Sequence, residues 1–335
     1  EGAILVVPET FGPEIHRKIG NALQFIKTDN APVVIYNQNY AYTFTNYGIA
    51  NGQAGEGPYF APNVLGCISV SKHSQDFLRF LYPDQNVYHK PNAVDAEIFH
   101  LPAKGKPGNT ISLMLRKHAD EANLVLLALQ QIGALEGLQV INIDQKSPAE
   151  VSEILQASSI FLSFGYPEGF SLPPAEAMAC GCLVIGYTGH GANEFFHEDF
   201  SIRITESDTF TYIKTARQAI ETLKRSPQTI HASGAKAALD EAQQLWLTML
   251  EPPEACRTLL QSLVRENRVT SDDIWARARR QFEANRTGPA RATLDWLPPG
   301  QSPDAKSFDQ MTGNAMAYLV KQPASWSSSQ TGREM

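Results

Sequence analysis

The sequence predicts an α/β fold built from parallel sheets, and three observations lead to this prediction. Short apolar runs rich in β-branched residues, typical of buried strands, alternate with segments whose apolar residues recur at helical spacing. Such alternation favours βαβ units, in which successive strands run parallel. The chain has 335 residues, which is enough for two domains of ordinary size.

The first hundred residues supply the strands and helices of one sheet. Strands are predicted at residues 3–7, 33–36, 64–70 and 87–88. Apolar residues at helical spacing from Ile15 to Ile26 predict a helix after the first strand. Ser71 suits the N-cap of a second helix that ends near Leu81. The glycines between 48 and 63 neither follow a strand nor open a helix, so this segment predicts a surface loop rather than a phosphate cradle.

The following 150 residues predict a second set of strands and helices. Strands are predicted at residues 111–115, 140–143, 160–162, 183–185 and 201–204. A helix follows Arg116-Lys117-His118, and another begins at Ser147-Pro148-Ala149-Glu150, which has the spacing of a capping box with proline at the first helical position. Apolar residues from Phe210 to Leu223 stripe a third.

Beyond residue 250 the pattern weakens. We expect helices at about 253–266 and 272–286, the second capped by Ser271, then a turn-rich segment at 298–307 and a disordered tail at 322–335. The Pro/Gly/Lys-rich segment after Phe99 reads as a linker. The predicted domains are therefore 1–100, 101–250 and a helical extension with a tail at 251–335.

Composition and charge exclude several classes of protein. The net charge is −7 and the sequence contains no lysine or arginine run, which argues against nucleic acid or an anionic membrane as the main partner. Four cysteines lack metal-type spacing, so a reducing compartment, the cytoplasm, is expected. No apolar run approaches the length of a transmembrane span, although peripheral membrane contact stays open. None of the eight histidines forms a His-Glu-x-x-His pair, so no metal site is predicted.

The most informative stretch, residues 158–196, reads as strand, loop, helix, strand and loop. Its first loop exposes Glu168, and prolines at the start of the helix fit its first turn. Glu176 then lies about one turn into the helix, which Gly181 ends. In an open α/β sheet, ligands bind at the carboxyl ends of the strands, and a helix N-terminus binds anions. A diphosphate at the helix start, with a carboxylate on either side to accept sugar hydroxyls, fits this arrangement.

This stretch resembles the donor-binding signature of retaining GT-B glycosyltransferases of the group 1 (family 4) type. Glu168 and Glu176 have the family's Glu, seven residues, Glu spacing, embedded in EGF and PPAEAMACG. The segment from Lys90 to Phe99 is similar to the family's NGVD junction, with Ala93 in place of glycine. The resemblance implies two Rossmann-like domains that face each other across a cleft. It also implies a nucleotide-sugar donor, a glycan or other hydroxyl-bearing acceptor, and no cofactor or metal.

The resemblance also implies roles for individual residues. Glu176 would bind the ribose hydroxyls, and Glu168 would contact the transferred sugar or stabilise charge near its anomeric carbon. Arg116 would neutralise the diphosphate. The family's second cation falls on Glu121, so Lys117 is expected to substitute for it. Further substrate contacts are implied for Gly169, Phe170, Ser171 and Leu172, through their backbone N–H groups, and for Gly189 in a Gly-His-Gly loop that includes Glu194.

The N-terminal part departs from the family pattern. It has a first strand without the glycine-rich loop that usually follows, and about 95 residues are few for a Rossmann domain. We therefore expect an N-terminal domain that is truncated or pared down. Two alternatives to a retaining hexosyltransferase of glycan biosynthesis stay open at this point. They are a GT-B isomerase or phosphorylase, and a non-catalytic nucleotide-sugar-binding or scaffold protein.

Overall fold

The computed structural model describes residues 4–14, 18, 31–45, 58–102, 105–236, 263, 269–298 and 300–313. The chain divides into two compact units, Glu1–Ala237 and Ala238–Met335. The first unit contains two parallel β-sheets, which confirms the α/β prediction. The helix expected from Ile15, most of the loop at 48–63, the helix at 253–266 and the tail at 322–335 lie outside the described residues. The predicted domain limits and the shortened N-terminal domain stay predictions.

The N-terminal sheet has four parallel strands in the order β1-β2-β3-β4. They are Leu5–Pro8, Val33–Asn37, Val64–Ser69 and Val87–His89. Helix α1, Lys72–Leu81, covers one face and is capped as predicted, because the Ser71 hydroxyl accepts a hydrogen bond from Ser74 N at 3.2 Å. Ile35, Cys67 and Leu78 are buried in the core between sheet and helix. Short 3₁₀ turns follow β1 and β2, at Glu9–Glu14 and Tyr40–Tyr42, so the chain changes direction at the carboxyl ends of these strands.

The C-terminal sheet has five parallel strands in the order β6-β5-β7-β8-β9. They are β5 Thr110–Leu113, β6 Gln139–Asn142, β7 Ile160–Ser163, β8 Leu183–Gly186 and β9 Ser201–Arg203. The chain runs outward from β5 to β6 and then crosses back to β7, which pairs with β5 on its other side. The carboxyl ends of β5 and β7 therefore form the topological switch point, where open α/β sheets bind ligands.

Helices cover both faces of this sheet, which is why its central strands are almost continuously apolar. Four helices contribute: α2 Ala119–Gln131, α3 Pro148–Ala157, α4 Leu172–Ala179 and α5 Thr209–Arg225. On one face Ile160 and Ile185 pack in a cluster with α2 and α5. On the other, Phe161 and Val184 pack in a cluster with α3 and α4. Alternate residues of β7 and β8 thus anchor the loop and helix that lie between these strands.

The ends of α3 and α4 have the predicted chemistry. Ser147 and Glu150 form the capping box of α3. Gly181 has a φ of +77°, and its N–H donates to Met178 O at 2.8 Å while Cys182 N donates to Ala177 O at 2.9 Å. This pair of bonds is a Schellman motif, so Gly181 ends α4 and turns the chain directly into β8.

The second unit corrects two predictions and contains one helix that was not predicted. Helix α6, Ser271–Glu283, begins at Ser271, and Thr270 is its cap through a box with Asp273. Helix α7, Thr287–Leu294, was not predicted because its Gly288-Pro289 pair reads as a break, yet proline is tolerated in a first turn. Helix α8, Ala305–Gly313, begins inside the segment expected to be turns, where Asp304 Oδ1 accepts from Ser307 N at 3.0 Å.

Candidate active site

The carboxyl ends of both sheets in the first unit border one cleft of about 810 Å³. The loops after β1 and β2 contribute Pro8, Glu9, Thr10, Gln38, Asn39 and Tyr42, and Asn92 follows β4. The loops after β5 and β7, with the start of α4, contribute Met114, Arg116, Lys117, Glu168, Gly169, Phe170, Ser171, Leu172, Pro173 and Glu176. We call these two sets of residues the N-terminal wall and the C-terminal wall. Every predicted site residue except Gly189 lies in the C-terminal wall.

The C-terminal wall presents a run of free backbone donors. The N–H groups of residues 169–172 donate no hydrogen bond within the described part of the chain. Pro173 and Pro174 follow and have no N–H, so these donors stand at the very start of α4. Gly169, Phe170 and Ser171 are buried. Because buried N–H groups are almost always paired in native proteins, a run of N–H groups without such partners beside a cleft and at a helix start is suited to bind an anion such as a phosphate.

Glu168 is held in place from several sides. Its carboxylate Oε1 lies 2.9 Å from Lys117 Nζ, and its N–H donates to Gly189 O at 2.8 Å. Lys117 Nζ also donates to Pro167 O at 2.8 Å. Lys117 therefore fixes the Glu168 loop in this structure, and the contact with the diphosphate expected of Lys117 stays a prediction.

Arg116 and Glu176 are available to a ligand. Arg116 makes no hydrogen bond or ion pair with the described residues, and it lines both this cleft and the adjoining hollow beneath the loop after β6. Glu176 is half-buried in α4, and burial raises the pKa of its carboxyl above 4.5. Like Arg116, its carboxylate has no partner among the described residues, so an arriving ligand with hydroxyl donors would stabilise its charge.

The loop after β8 supports the site from behind. A Cβ on Gly189 would lie 2.7 Å from Glu168 Cβ and 2.8 Å from Gly165 O, so only glycine allows the two loops to meet. Glu194 Oε2 accepts a hydrogen bond from Lys72 N at 3.0 Å, at the start of α1. This loop therefore joins the two sheets, and the substrate contact expected of Gly189 stays a prediction.

Glu121, where the resemblance implies a lysine, makes several hydrogen bonds in the structure. Its carboxylate accepts hydrogen bonds from Tyr187 Oη at 2.7 Å, Tyr166 Oη at 3.0 Å and Ser207 Oγ at 3.3 Å. It thereby ties α2 to the loops after β7 and β8. Glu121 therefore stabilises the loops that carry the C-terminal wall and is not among the residues that line the cleft.

The residues of the N-terminal wall were not predicted from the sequence. Glu9 is 4% exposed, and its Oε1 accepts a hydrogen bond from Asn39 N at 3.1 Å. Asn39 Nδ2 donates in turn to Pro167 O at 3.2 Å, across the cleft. One signal was present in the sequence: Glu9 follows β1 and Asn39 lies two residues after β2, at the edge where ligands bind in parallel sheets.

Two parallel α/β sheets whose strand ends share a cleft resemble the Rossmann-like domains of GT-B proteins. A sucrose-phosphate synthase from Thermosynechococcus elongatus has this fold in common, with a TM-score of 0.52, 16% identity and coverage of 79% of this chain and 73% of that one. The Anabaena HepE structure with UDP and glucose has a TM-score of 0.47 at 13% identity, covering 77% of this chain and 76% of that one.

Sequence comparison gives the class of the C-terminal sheet. Residues 127–232 match the family described as "Glycosyl transferases group 1". An alpha-1,6-glucosyltransferase from Actinobacillus pleuropneumoniae serotype 7 (strain AP76) is 24% identical over 205 residues, which are 56% of this chain and 56% of that protein. The chain thus spans little more than half of this relative's length. Its resemblance to the group 1 glycosyltransferases is confirmed, and the matched segment contains Glu168, Glu176 and the glycines around them.

Proposed function

We propose that this protein is a retaining glycosyltransferase that moves a sugar from a nucleoside-diphosphate donor to an acceptor hydroxyl. One observation carries the proposal. Four N–H groups, Arg116 and Glu176, none of which has a partner among the described residues, meet at the topological switch point of the C-terminal sheet. Donors and a cation suit a diphosphate, and a desolvated carboxylate suits ribose hydroxyls.

The site would act by position and charge. The diphosphate lies against the N–H groups of residues 169–172 and Arg116, which stabilise the negative charge that grows on it as the sugar–phosphate bond breaks. Glu168, oriented by Lys117, lies beside the transferred sugar. The acceptor hydroxyl attacks from the face that the diphosphate leaves, and the departing phosphate oxygen takes its proton. No bond to the protein forms, and the anomeric configuration is retained.

The acceptor would bind against the N-terminal wall, which faces the donor site across the cleft.

We also propose a reducing, cytoplasmic location, supported by three described cysteines that are free and buried: Cys67, Cys180 and Cys182. In the described residues, no helix has both the length and the apolar character required to cross a membrane.

Calorimetric titration with UDP, GDP, dTDP and ADP tests the donor site. We expect micromolar binding of one nucleotide, weakened about tenfold or more in Glu176→Ala, since losing one hydrogen bond to a charged group costs about 1.5–3 kcal/mol. Glu150→Ala, which removes an exposed glutamate from α3, is the matched control and should bind like the wild type.

The outcomes separate the open functions. Failure to bind any of the four nucleotides would exclude the proposed donor site. Binding without release of nucleotide from any sugar donor would indicate a scaffold, and product analysis would distinguish a phosphorylase or isomerase from a transferase.

A further inference from the structure

The N-terminal wall contains a buried carboxylate with one unused oxygen. Glu9 is 4% exposed, and its Oε1 is bound by Asn39 N, but its Oε2 is buried and has no hydrogen-bond partner among the described residues. Leaving a buried polar atom unpaired is costly, so each such case in a native protein calls for an explanation. Because Glu9 lines the cleft, the simplest explanation is a ligand that donates to Oε2.

The neighbours of Glu9 limit what that ligand can be. Apart from Glu9, the polar side chains of the wall are neutral: Thr10, Gln38, Asn39, Tyr42 and Asn92. Among the described residues that line the cleft, the basic side chains are Arg116 and Lys117, both on the opposite wall. A phosphate or carboxylate on the acceptor would meet a like charge at Glu9, and Lys117, whose Nζ lies 5.8 Å from the Tyr42 ring centroid, is already paired with Glu168. Hydroxyl groups would instead find hydrogen-bond acceptors, amide donors and the half-exposed ring of Tyr42.

The geometry of the wall is fixed relative to Glu168. Asn39 Oδ1 accepts from Ala41 N at 3.0 Å, while its Nδ2 donates to Pro167 O, which also accepts from Lys117 Nζ. Lys117 in turn pairs with Glu168. A hydroxyl bound by Glu9 would therefore be oriented, through Asn39 and Pro167, with respect to the carboxylate beside the reacting sugar.

We propose that the acceptor is an uncharged sugar and that Glu9 binds one of its hydroxyls through Oε2, which makes Glu9 a specificity-determining residue. This inference rests on the proposed transferase function. Burial raises the pKa of Glu9 above 4.5, and backbone hydrogen bonds from Gln38, Glu9 itself and Asn39 oppose this shift. A hydroxyl group of the acceptor would donate the hydrogen bond that Glu9 Oε2 lacks among the described residues.

The test uses the full chain with the nucleotide-sugar that binds best. Two rates are measured: release of nucleoside diphosphate with water as acceptor, and transfer to a panel of neutral glycosides and their phosphorylated counterparts. We expect transfer to neutral sugars to exceed transfer to the phosphorylated ones at least tenfold. Glu9→Ala should raise the acceptor KM about tenfold or more, and Glu9→Gln, which keeps one carbonyl oxygen, by less. Nucleotide affinity and donor hydrolysis are measured on the same variants, so that a loss of acceptor binding is distinguished from a general loss of activity.

Glu97→Gln, which alters an exposed glutamate outside the cleft, is the matched control and should keep the wild-type KM. Preference for phosphorylated acceptors, or an unchanged acceptor KM in Glu9→Ala, would overturn the inference while the transferase function stands. If Glu9→Ala loses nucleotide binding through misfolding, an unchanged KM in Glu9→Gln would overturn it. A wild-type chain that neither binds nucleotide nor hydrolyses a donor would overturn both the function and this inference.

Discussion

The two walls of the cleft differ in chemistry, although both are carboxyl ends of parallel sheets. The C-terminal wall has two cations, the carboxylates of Glu168 and Glu176 and, at a helix start, a run of N–H groups without a partner among the described residues. The N-terminal wall has one buried carboxylate, amides and a tyrosine ring. The first combination attracts an anion and the second repels one. If the proposed function is correct, the charged donor would lie against the first wall and the neutral acceptor against the second.

The backbones of the two walls approach each other closely, and the glycines that permit this lie on the C-terminal side. A Cβ on Gly169 would lie 1.7 Å from Gln38 O, and one on Gly191 would lie 2.2 Å from Gly169 O. Three backbone segments are therefore stacked where the walls meet, with glycine at each close contact on the C-terminal side. The C-terminal wall depends on glycine at these contacts.

Gly169→Ala should have the largest effect, because the backbone atoms it meets cannot move aside as a flexible side chain would. We expect it to separate the walls, to lower transfer about 100-fold or more, and to destabilise the first unit by about 1–3 kcal/mol, the usual cost of overpacking. Steady-state transfer rates and thermal unfolding measure both effects. Gly288→Ala, where an added Cβ meets nothing within 4 Å, is the control and should be neutral. Near-normal transfer by Gly169→Ala would show that the walls need not meet during turnover.

Arg116→Ala and Lys117→Ala test whether the two cations of the C-terminal wall have different roles. Arg116 is unpaired among the described residues, so its loss should weaken nucleotide binding about 10–100-fold, as for a lost charged hydrogen bond. Lys117 is paired with Glu168, so its loss should lower kcat with a smaller change in nucleotide affinity.

Calorimetry and initial rates separate the two effects. Arg217→Ala, at an exposed ion pair with Glu221, should change neither. Equal loss of affinity in Arg116→Ala and Lys117→Ala would mean that Lys117 leaves Glu168 to bind the diphosphate.

The two walls also differ in how far they could be predicted from the sequence. Most of the C-terminal wall is contiguous: a strand, a loop with Glu168, prolines, a helix and Gly181 follow one another within about 20 residues, and each has a local physical cause. Its strands and helices, and its place at the switch point, were predictable for this reason.

The N-terminal wall is assembled from distant residues, so no local pattern marks it. Glu9 and Asn39 are 30 residues apart, and Asn39 meets Pro167 across 128 residues of sequence. Whether a glutamate after a strand is solvated or buried with one oxygen unpaired depends on contacts of this kind. The same holds for Lys117, whose partner Glu168 lies on another strand's loop.

The smallest expected effect concerns the pH dependence of stability. Burial raises the folded-state pKa of Glu176, so the folded protein binds this proton more tightly than the unfolded chain. Ionisation of Glu176 therefore opposes folding; the penalty is absent below pH 4.5 and fully present above the folded pKa. Without nucleotide, Glu176→Gln should raise the free energy of unfolding at pH 8, by less than about 1 kcal/mol, and leave it unchanged near pH 4.5.

Glu150 is a control, because its replacement should change the free energy of unfolding in the opposite direction. Hydrogen bonds from the Ser147 backbone, and then Lys146, lower its pKa to about 2, so its contribution is present above pH 4.5 and is lost as the pH falls toward 2. Glu150→Gln should therefore lower stability at pH 8, where Glu176→Gln raises it. Denaturant titrations of both variants at pH 4.5 and pH 8 measure this. A Glu176→Gln shift of equal size at both pH values would show that the carboxylate is already solvated or paired before any ligand arrives.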